Sequence, residues 1–375
     1  MTAAWYHEHN IYAIPENLDY ILGSPRVTTM LFGAFAGAGF AAVFVLWTRW
    51  ASRSRLGTKE YGEGLLINTG APAPHAPGDR PLRLVTLNAG YASGAANNTP
   101  KRVPLETSEA NLDRIGRTLA RLKADFVVLQ EVDLDSARSH GIDQLEWIRR
   151  HTGHAFSAFA YNWDVRYLPW PYWPPTAHFG RILSGQALLS RFPIRQHRKV
   201  TFPKPDSQPN WYNRFFIDRA LHLCEVDLAG RALHLAGCHL ESFHIDSRRK
   251  QARLVTDAIA ALSKMPLILA GDFNAIPSWA TPPPILHEAP KDGEAADDTI
   301  AHIESVGLQP LFSADRWQAR EETSYTYASF MPVACIDNAF CSEEIEIVDG
   351  GVCRDSGDAS DHFPVWMDFR LRERA

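Results

Sequence analysis

Short apolar runs, each closed by a polar residue, recur along this chain. Residues 82–87 run into Asn88, 125–129 into Gln130 and Glu131, 233–238 into His239, and 267–270 into Gly271 and Asp272. Runs of this length, bounded by turn residues, predict buried strands. The stretch PLILAGDFNAIP at 266–277 organises the rest. Residues two apart on an extended chain face the same way, so Asp272 and Asn274 are expected side by side, with Phe273 turned back into apolar packing. A further candidate site, Ser360-Asp361-His362, precedes the apolar run 363–367. Strands that each deliver a polar group to a common edge build a site on a rigid sheet.

Helical periodicity alternates with these runs. Residues 107–123 place Leu112, Ile115, Leu119 and Leu122 on one face, with Ser108 as the expected N-cap. Residues 142–151 predict a second helix, and 247–263 a third that carries Leu254, Ile259 and Leu262. Residues 185–190 predict a strand, and 220–228 with 231–239 a hairpin turned at Ala229-Gly230. Two halves that each mix strands and helices predict a layered α/β fold with two packed sheets.

The pattern ahead of this domain is different. Residues 27–47 carry no charge, and a run of about 20 apolar residues is long enough to span a bilayer. The run starts too late, and without a basic leader, for a cleaved signal peptide, so a single-pass transmembrane helix is expected. Gly33 and Gly37 form a GxxxG, a candidate helix–helix face for a dimer. Arg26 precedes the run while Arg49, Arg53, Arg55 and Lys59 follow it, which places the following domain on the cytoplasmic side. The expected division is an N-terminal segment at 1–26, the helix at 27–47, a basic flank and Pro/Ala-rich linker at 48–81, and one large domain at 82–372.

Two segments interrupt that domain. Residues 161–179 hold Trp163, Tyr167, Trp170, Tyr172 and Trp173 and are too rich in proline for a helix or a central strand. With Trp211, Tyr212, Phe215 and Phe216 they are a candidate substrate wall or membrane-contacting rim. Residues 282–298, Pro-rich and then acidic, are expected as a solvated loop.

The formal net charge of −5 over 375 residues is not that of a dedicated duplex-DNA binder, although a local basic groove fits within such a total. The five cysteines are odd in number and include no CxxC, so buried thiols are expected rather than disulfides or a zinc site. No HExxH, Walker loop, GxGxxG or GxSxG is present.

The residues that close the strands suit phosphoryl chemistry. Glu131, Asn88 and Asp361 are hard oxygen donors of the kind Mg²⁺ takes. Asp272 is placed to orient or deprotonate a water. Asn274 and His239 are candidate donors to phosphate oxygens. His362 is the natural acid/base, with Asp337 as its orienting carboxylate.

Order and spacing together resemble the endonuclease/exonuclease/phosphatase superfamily, with its deoxyribonuclease-I-like fold. The resemblance rests on TLN at 86–88, LQEVD at 129–133, GQALLSRFPI at 185–194, CHLES at 238–242 with Arg248 and Gln251, GDFNAIP at 271–277, IDNAF at 336–340 and SDHFPV at 360–365. It implies a two-sheet α/β sandwich with a Mg²⁺- or Mn²⁺-dependent phosphoester hydrolysis site at one end. It also implies these roles: Asn88 and Glu131 at the metal, Asp361 at the metal or leaving group, Asp272 and Asn274 at the water and phosphate, His239 at the phosphate, and His362 with Asp337 as the acid/base pair. Leu183 stands where abasic-site nucleases of the family carry tyrosine, which argues against abasic-DNA chemistry, and Asn338 replaces an aromatic residue.

The family's core does not fix the substrate. The expected membrane helix, the aromatic segment and the negative charge favour a membrane-lipid phosphoester, resembling the neutral sphingomyelinase branch. A membrane-tethered nuclease is the alternative, with Arg214, Arg219, Arg248, Arg249 and Lys250 as its cationic track. A non-catalytic membrane-anchored binding protein is the remote alternative, disfavoured because Glu131, Asp272 and His362 are all present.

Overall fold

The structure is a computed structural model that describes residues 25–70, 78, 80–97, 99, 101–262, 264–277, 280, 297–318 and 321–373. Met1–Ala51 and Ser52–Ala375 form separate compact units. In the first, one helix, α1 (Pro25–Ala51), contains the apolar run 27–47. Residues 1–24, and the side chains of 25–35, lie outside the described residues. Further along α1, Phe40, Val43, Leu46 and Trp50 are exposed. Among the described residues no helix is long and apolar enough to cross a membrane.

The second unit holds two sheets. The first has seven strands in the order β1-β4-β5-β3-β2-β13-β12, from β1 (Leu65–Asn68), β2 (Leu82–Asn88), β3 (Phe126–Asp133), β4 (Phe156–Leu168), β5 (Gly180–Ser190), β12 (Ile345–Val352) and β13 (Val365–Leu371). The second has six in the order β10-β11-β9-β8-β7-β6, from β6 (Ile194–Thr201), β7 (Ala220–Leu228), β8 (Arg231–His239), β9 (Leu267–Asp272), β10 (Gln309–Pro310) and β11 (Asp337–Cys341). Among the described strands only β2/β3 and β8/β9 run parallel, and each of these pairs is joined through a helix. Those helices are α3 (Leu105–Leu122) and α5 (Ile245–Ile259). The remaining named helices are α2 (Thr58–Glu63), α4 (Gln144–Thr152) and α6 (Thr299–Ser305).

The central strands are buried on both faces, which is why they read as continuous apolar runs. Leu82 and Leu84 face the other sheet, with Phe126, Val128, Val226, Leu235, Ile268 and Phe369. Val85 and Leu87 point the opposite way, onto Leu112, Ile115 and Leu119 of α3 and Ile148 of α4. Leu267 and Leu269 meet Val255 and Ile259 of α5 and Ile303 of α6. The result is a helix–sheet–sheet–helix sandwich. Each fully buried Leu or Phe in it contributes about 1.5–3 kcal/mol of transfer free energy, so packing, not local propensity, holds the strand ends in place. Four of the five cysteines are buried, and all are free thiols.

Several boundaries differ from the sequence reading. Pro104, not Ser108, caps α3, and Ser108 is buried inside the helix. β4 continues to Leu168 because the first proline of the aromatic segment is Pro169, and the backbone before it is free to pair with β5. The expected linker is folded in part: β1 pairs with β4 through Leu65↔Phe159. The backbone N–H groups of Arg55 and Leu56 both donate to Asp164 Oδ2 at 2.8 Å, and Tyr61 donates to Asp218. Residues 71–77, and 282–296 of the expected acidic loop, lie outside the described residues.

Candidate active site

The two parallel pairs point the same kind of strand end at one edge of the sandwich. In register, Asn88 lies beside Gln130, His239 beside Asp272, and Asp272 beside Asp337 at the start of antiparallel β11. The sheets meet there, where Asn88 Nδ2 donates to Asp272 Oδ2 at 2.9 Å. Ser360 ties in the last segment. Its hydroxyl donates to the Asn88 carbonyl at 2.7 Å and accepts the His362 N–H at 3.1 Å. All eight residues expected at the site are thereby brought to one place.

Two of them take conformations that extended-strand reasoning did not anticipate. β3 carries a register shift against β5 between Leu129 and Val132, and Glu131 sits within it at φ +53°. A bulge of this kind re-aims one side chain out of the strand's alternation. Asn274 is not extended either. At φ +49° its N–H donates to Asp272 Oδ1 at 2.8 Å, and its Nδ2 donates to the Leu240 carbonyl at 3.0 Å. Asparagine tolerates this left-handed region better than most residues. Phe273 is buried edge-on against Phe340, as expected.

His362 Nδ1 donates to Asp337 Oδ2 at 2.8 Å, and its Nε2 stands 3.9 Å from Asp272 Oδ2. Burial alone would lower the imidazole pKa. The carboxylates of Asp337, Asp361 and Asp272 outweigh it and hold His362 well above its ordinary value. Asp272 is raised by burial and by the charge of Asp337, against the pull of His362 and its Asn88 and Asn274 bonds. Tyr327 lies against the His362 ring, 4.8 Å between centroids.

At His239 one ring nitrogen is already engaged. Arg219 Nη1 donates to its Nε2, so that nitrogen is an acceptor. Burial, then the charges of Arg219 and His362, push His239 well below its ordinary pKa. Arg219 Nη2 donates to Ser242 at 3.0 Å. The buried guanidinium is therefore the cation on this side of the site. The sequence reading offers it only as one of five residues of a nuclease's cationic track.

Asp272, Asp337 and His362 offer ligand atoms within 4.8 Å of one another. His362 and Asp337 are already bonded to each other there, which leaves Glu131 and Asp361 as carboxylates that could hold a cation. Asp361 is raised by burial and by the Glu131 charge, although His362 and Asn97 oppose this. A cation would relieve that repulsion. Asn88 Oδ1 accepts from Gly90 N at 3.0 Å and retains a second lone pair. Asn97 was missed in the sequence. Its Nδ2 donates toward Glu131 Oε2 at 3.1 Å and Asp361 Oδ2 at 3.1 Å.

The chain resembles solved structures of the same sandwich fold. A structure from Beutenbergia cavernae DSM 12333, described as an endonuclease/exonuclease/phosphatase, is 24% identical over 78% of this chain and 72% of its own, with a TM-score of 0.58. D. rerio TDP2 complexed with single strand DNA product is 17% identical over 78% of this chain and 100% of its own, with a TM-score of 0.50. A mannosyl-6-phosphatase from Bacteroides thetaiotaomicron is 16% identical over 77% of this chain and 100% of its own, also at 0.50. Identities this low speak for the fold alone. No curated protein matches the sequence. The profile of the Endonuclease/Exonuclease/phosphatase family matches residues 85–362, from the middle of β2 to His362 itself, and the chain belongs to that family.

Proposed function

We propose that this protein is a Mg²⁺- or Mn²⁺-dependent phosphoester hydrolase acting on a membrane-lipid phosphodiester of the sphingomyelin type. The observation that carries the lipid assignment is a set of exposed aromatic side chains on the loops around the site. Trp170, Tyr172 and Trp173 follow β4, Trp211 precedes Arg219, Phe243 follows His239, and Phe330 follows Ser329. Ser329 N in turn donates to the Asp361 carbonyl at 2.7 Å. Large rings with polar edges suit the headgroup layer. The nuclease alternative has lost much of its track. Arg248 pairs with Asp297 at 2.8 Å, Arg249 with Asp298 at 2.6 Å and Lys250 with Asp206 at 3.2 Å, while Arg219 is buried in the site. In this reading the apolar run 27–47, whose side chains are described only from residue 36 onward, is a single-pass membrane anchor with the catalytic unit on the cytoplasmic side.

The site's own residues account for the proton movements of ester hydrolysis. Asp272, held by Asn88 and the Asn274 N–H, takes a proton from the attacking water as its oxygen bonds to phosphorus. His362 is kept charged by Asp337 and gives its Nε2 proton to the leaving oxygen as the phosphorus–oxygen bond breaks. Arg219 faces the charge that develops on the phosphoryl oxygens. A divalent cation at Glu131, Asp361 and Asn88 would supply Lewis-acid polarisation of a phosphoryl oxygen. Hydrolysis of lipid vesicles measured beside hydrolysis of DNA tests the reading.

A further inference from the structure

Asn97 lies outside every motif that identifies the family, in the Gly/Ala-rich turn after β2. A 3₁₀ turn (Gly94–Ala96) precedes it, and Asn97 N donates to the Gly94 carbonyl at 3.0 Å. The turn is seated closely on the segment that carries Asp361: a Cβ on Gly94 would come within 2.5 Å of the Asp358 carbonyl oxygen. The Asn97 side chain then enters the cation position itself. Its Nδ2 lies 3.1 Å from Glu131 Oε2 and 3.2 and 3.1 Å from the two oxygens of Asp361.

We propose that Asn97 is a residue of the cation site, bonding Glu131 and Asp361 through its nitrogen in the metal-free protein and turning its oxygen to the cation in the loaded one. This rests on the divalent-cation reading given above. A carboxamide carries a donor and a hard oxygen acceptor on one rotatable group. The carboxylates of Glu131 and Asp361 face each other, and the NH₂ group bridges them. Were a cation to take over that task, a rotation about the last side-chain bond would present the oxygen. The chain makes room for this group. Gly90, at φ +51°, has no side chain, and a Cβ there would stand 2.6 Å from Asp361 Oδ1 and 3.2 Å from Asn97 Nδ2. On its other side Asn97 borders a cavity of about 20 Å³ with Tyr91, Val103 and Arg138, about the space one water needs.

The test is Mn²⁺ binding to the full chain, followed by electron paramagnetic resonance, with thermal melting of each protein in EDTA. Asn97→Ala is expected to weaken Mn²⁺ binding at least about tenfold, the range seen when groups that support metal ligands are removed. It is also expected to melt lower in EDTA. Asn97→Asp keeps the oxygen and loses the donor. It is expected to melt lower in EDTA, to recover on adding Mn²⁺, and to bind Mn²⁺ at least as tightly as wild type. Wild-type Mn²⁺ affinity in Asn97→Ala, or tighter binding, overturns the proposal and leaves the cation site at Glu131 and Asp361 standing. A wild-type protein with no saturable Mn²⁺ binding overturns both.

Discussion

Asp337 and His362 come from separate segments of the second half of the chain, yet Asp337 Oδ2 accepts the His362 Nδ1 proton at 2.8 Å and both side chains are buried. The pairing fixes the tautomer. With Nδ1 committed, the proton available for chemistry is the one on Nε2, which faces Asp272. Thr326 holds the carboxylate's own backbone, its hydroxyl accepting the N–H groups of Ile336 and Asp337.

His362→Ala is therefore expected to lower kcat by about 10²–10⁴-fold with little change in KM, the range for losing a general acid. Asp337→Asn should lower kcat less, and the alkaline limb of its pH–rate profile should move to lower pH because the imidazolium loses its main support. Steady-state kinetics with circular dichroism of each variant checks this. Near wild-type turnover in folded His362→Ala would remove the assignment.

Gly90→Ala tests the crowding around Asp361. The added Cβ would meet Asp361 Oδ1 at 2.6 Å, from a backbone at φ +51°. A strained left-handed alanine alone costs about 1–3 kcal/mol, so a lower melting temperature and weaker cation binding are expected. An unchanged melting temperature would show that the turn gives way more easily than its packing implies.

Stability should fall with acid through His222. Burial, then His197 and Lys199, push its pKa down to about 3, against about 6.5 in the unfolded chain. Between those values the unfolded state binds the extra proton, so stability is lost as pH falls below about 6.5 and is unaffected above it. At pH 5 the loss from this group is about 2 kcal/mol. Urea unfolding of wild type and His222→Gln at pH 7.5 and pH 5 should show the wild type losing more by that amount. Equal losses would contradict it.

Replacing Trp170 and Trp173 by Ala should weaken binding of residues 52–375 to lipid vesicles, with melting unchanged, since both side chains are exposed. Vesicle co-sedimentation reads this. Unchanged binding would make the rings a self-packed loop surface.

Much of the site was legible because a buried apolar run closes on a polar residue at the end of several strands. Asn88, His239 and Asp272 are that kind of signal, and the helices between parallel strands follow from periodicity. What was not legible depends on contacts far apart in sequence. The bulge that turns Glu131 exists only against β5. Asn97 comes from a turn with no periodicity, and its role is set by carboxylates 34 and 264 residues away. Arg219 reads as one cation among several until β7 pairs with β8 and sets Ala220 beside His239. The run Leu65–Asn68 is too short and too exposed to be recognised as a strand without β4 beside it.

The most direct test of the whole account is one parallel hydrolysis assay of the full chain. It would compare mixed sphingomyelin and phospholipid vesicles with plasmid and single-stranded DNA, each in EDTA and with Mg²⁺ or Mn²⁺ restored, with His362→Ala as the blank. The account predicts lipid phosphodiester turnover that EDTA abolishes and the cation restores, with DNA left intact. Cation-dependent DNA cleavage over inert lipid, or full turnover in EDTA, would contradict it.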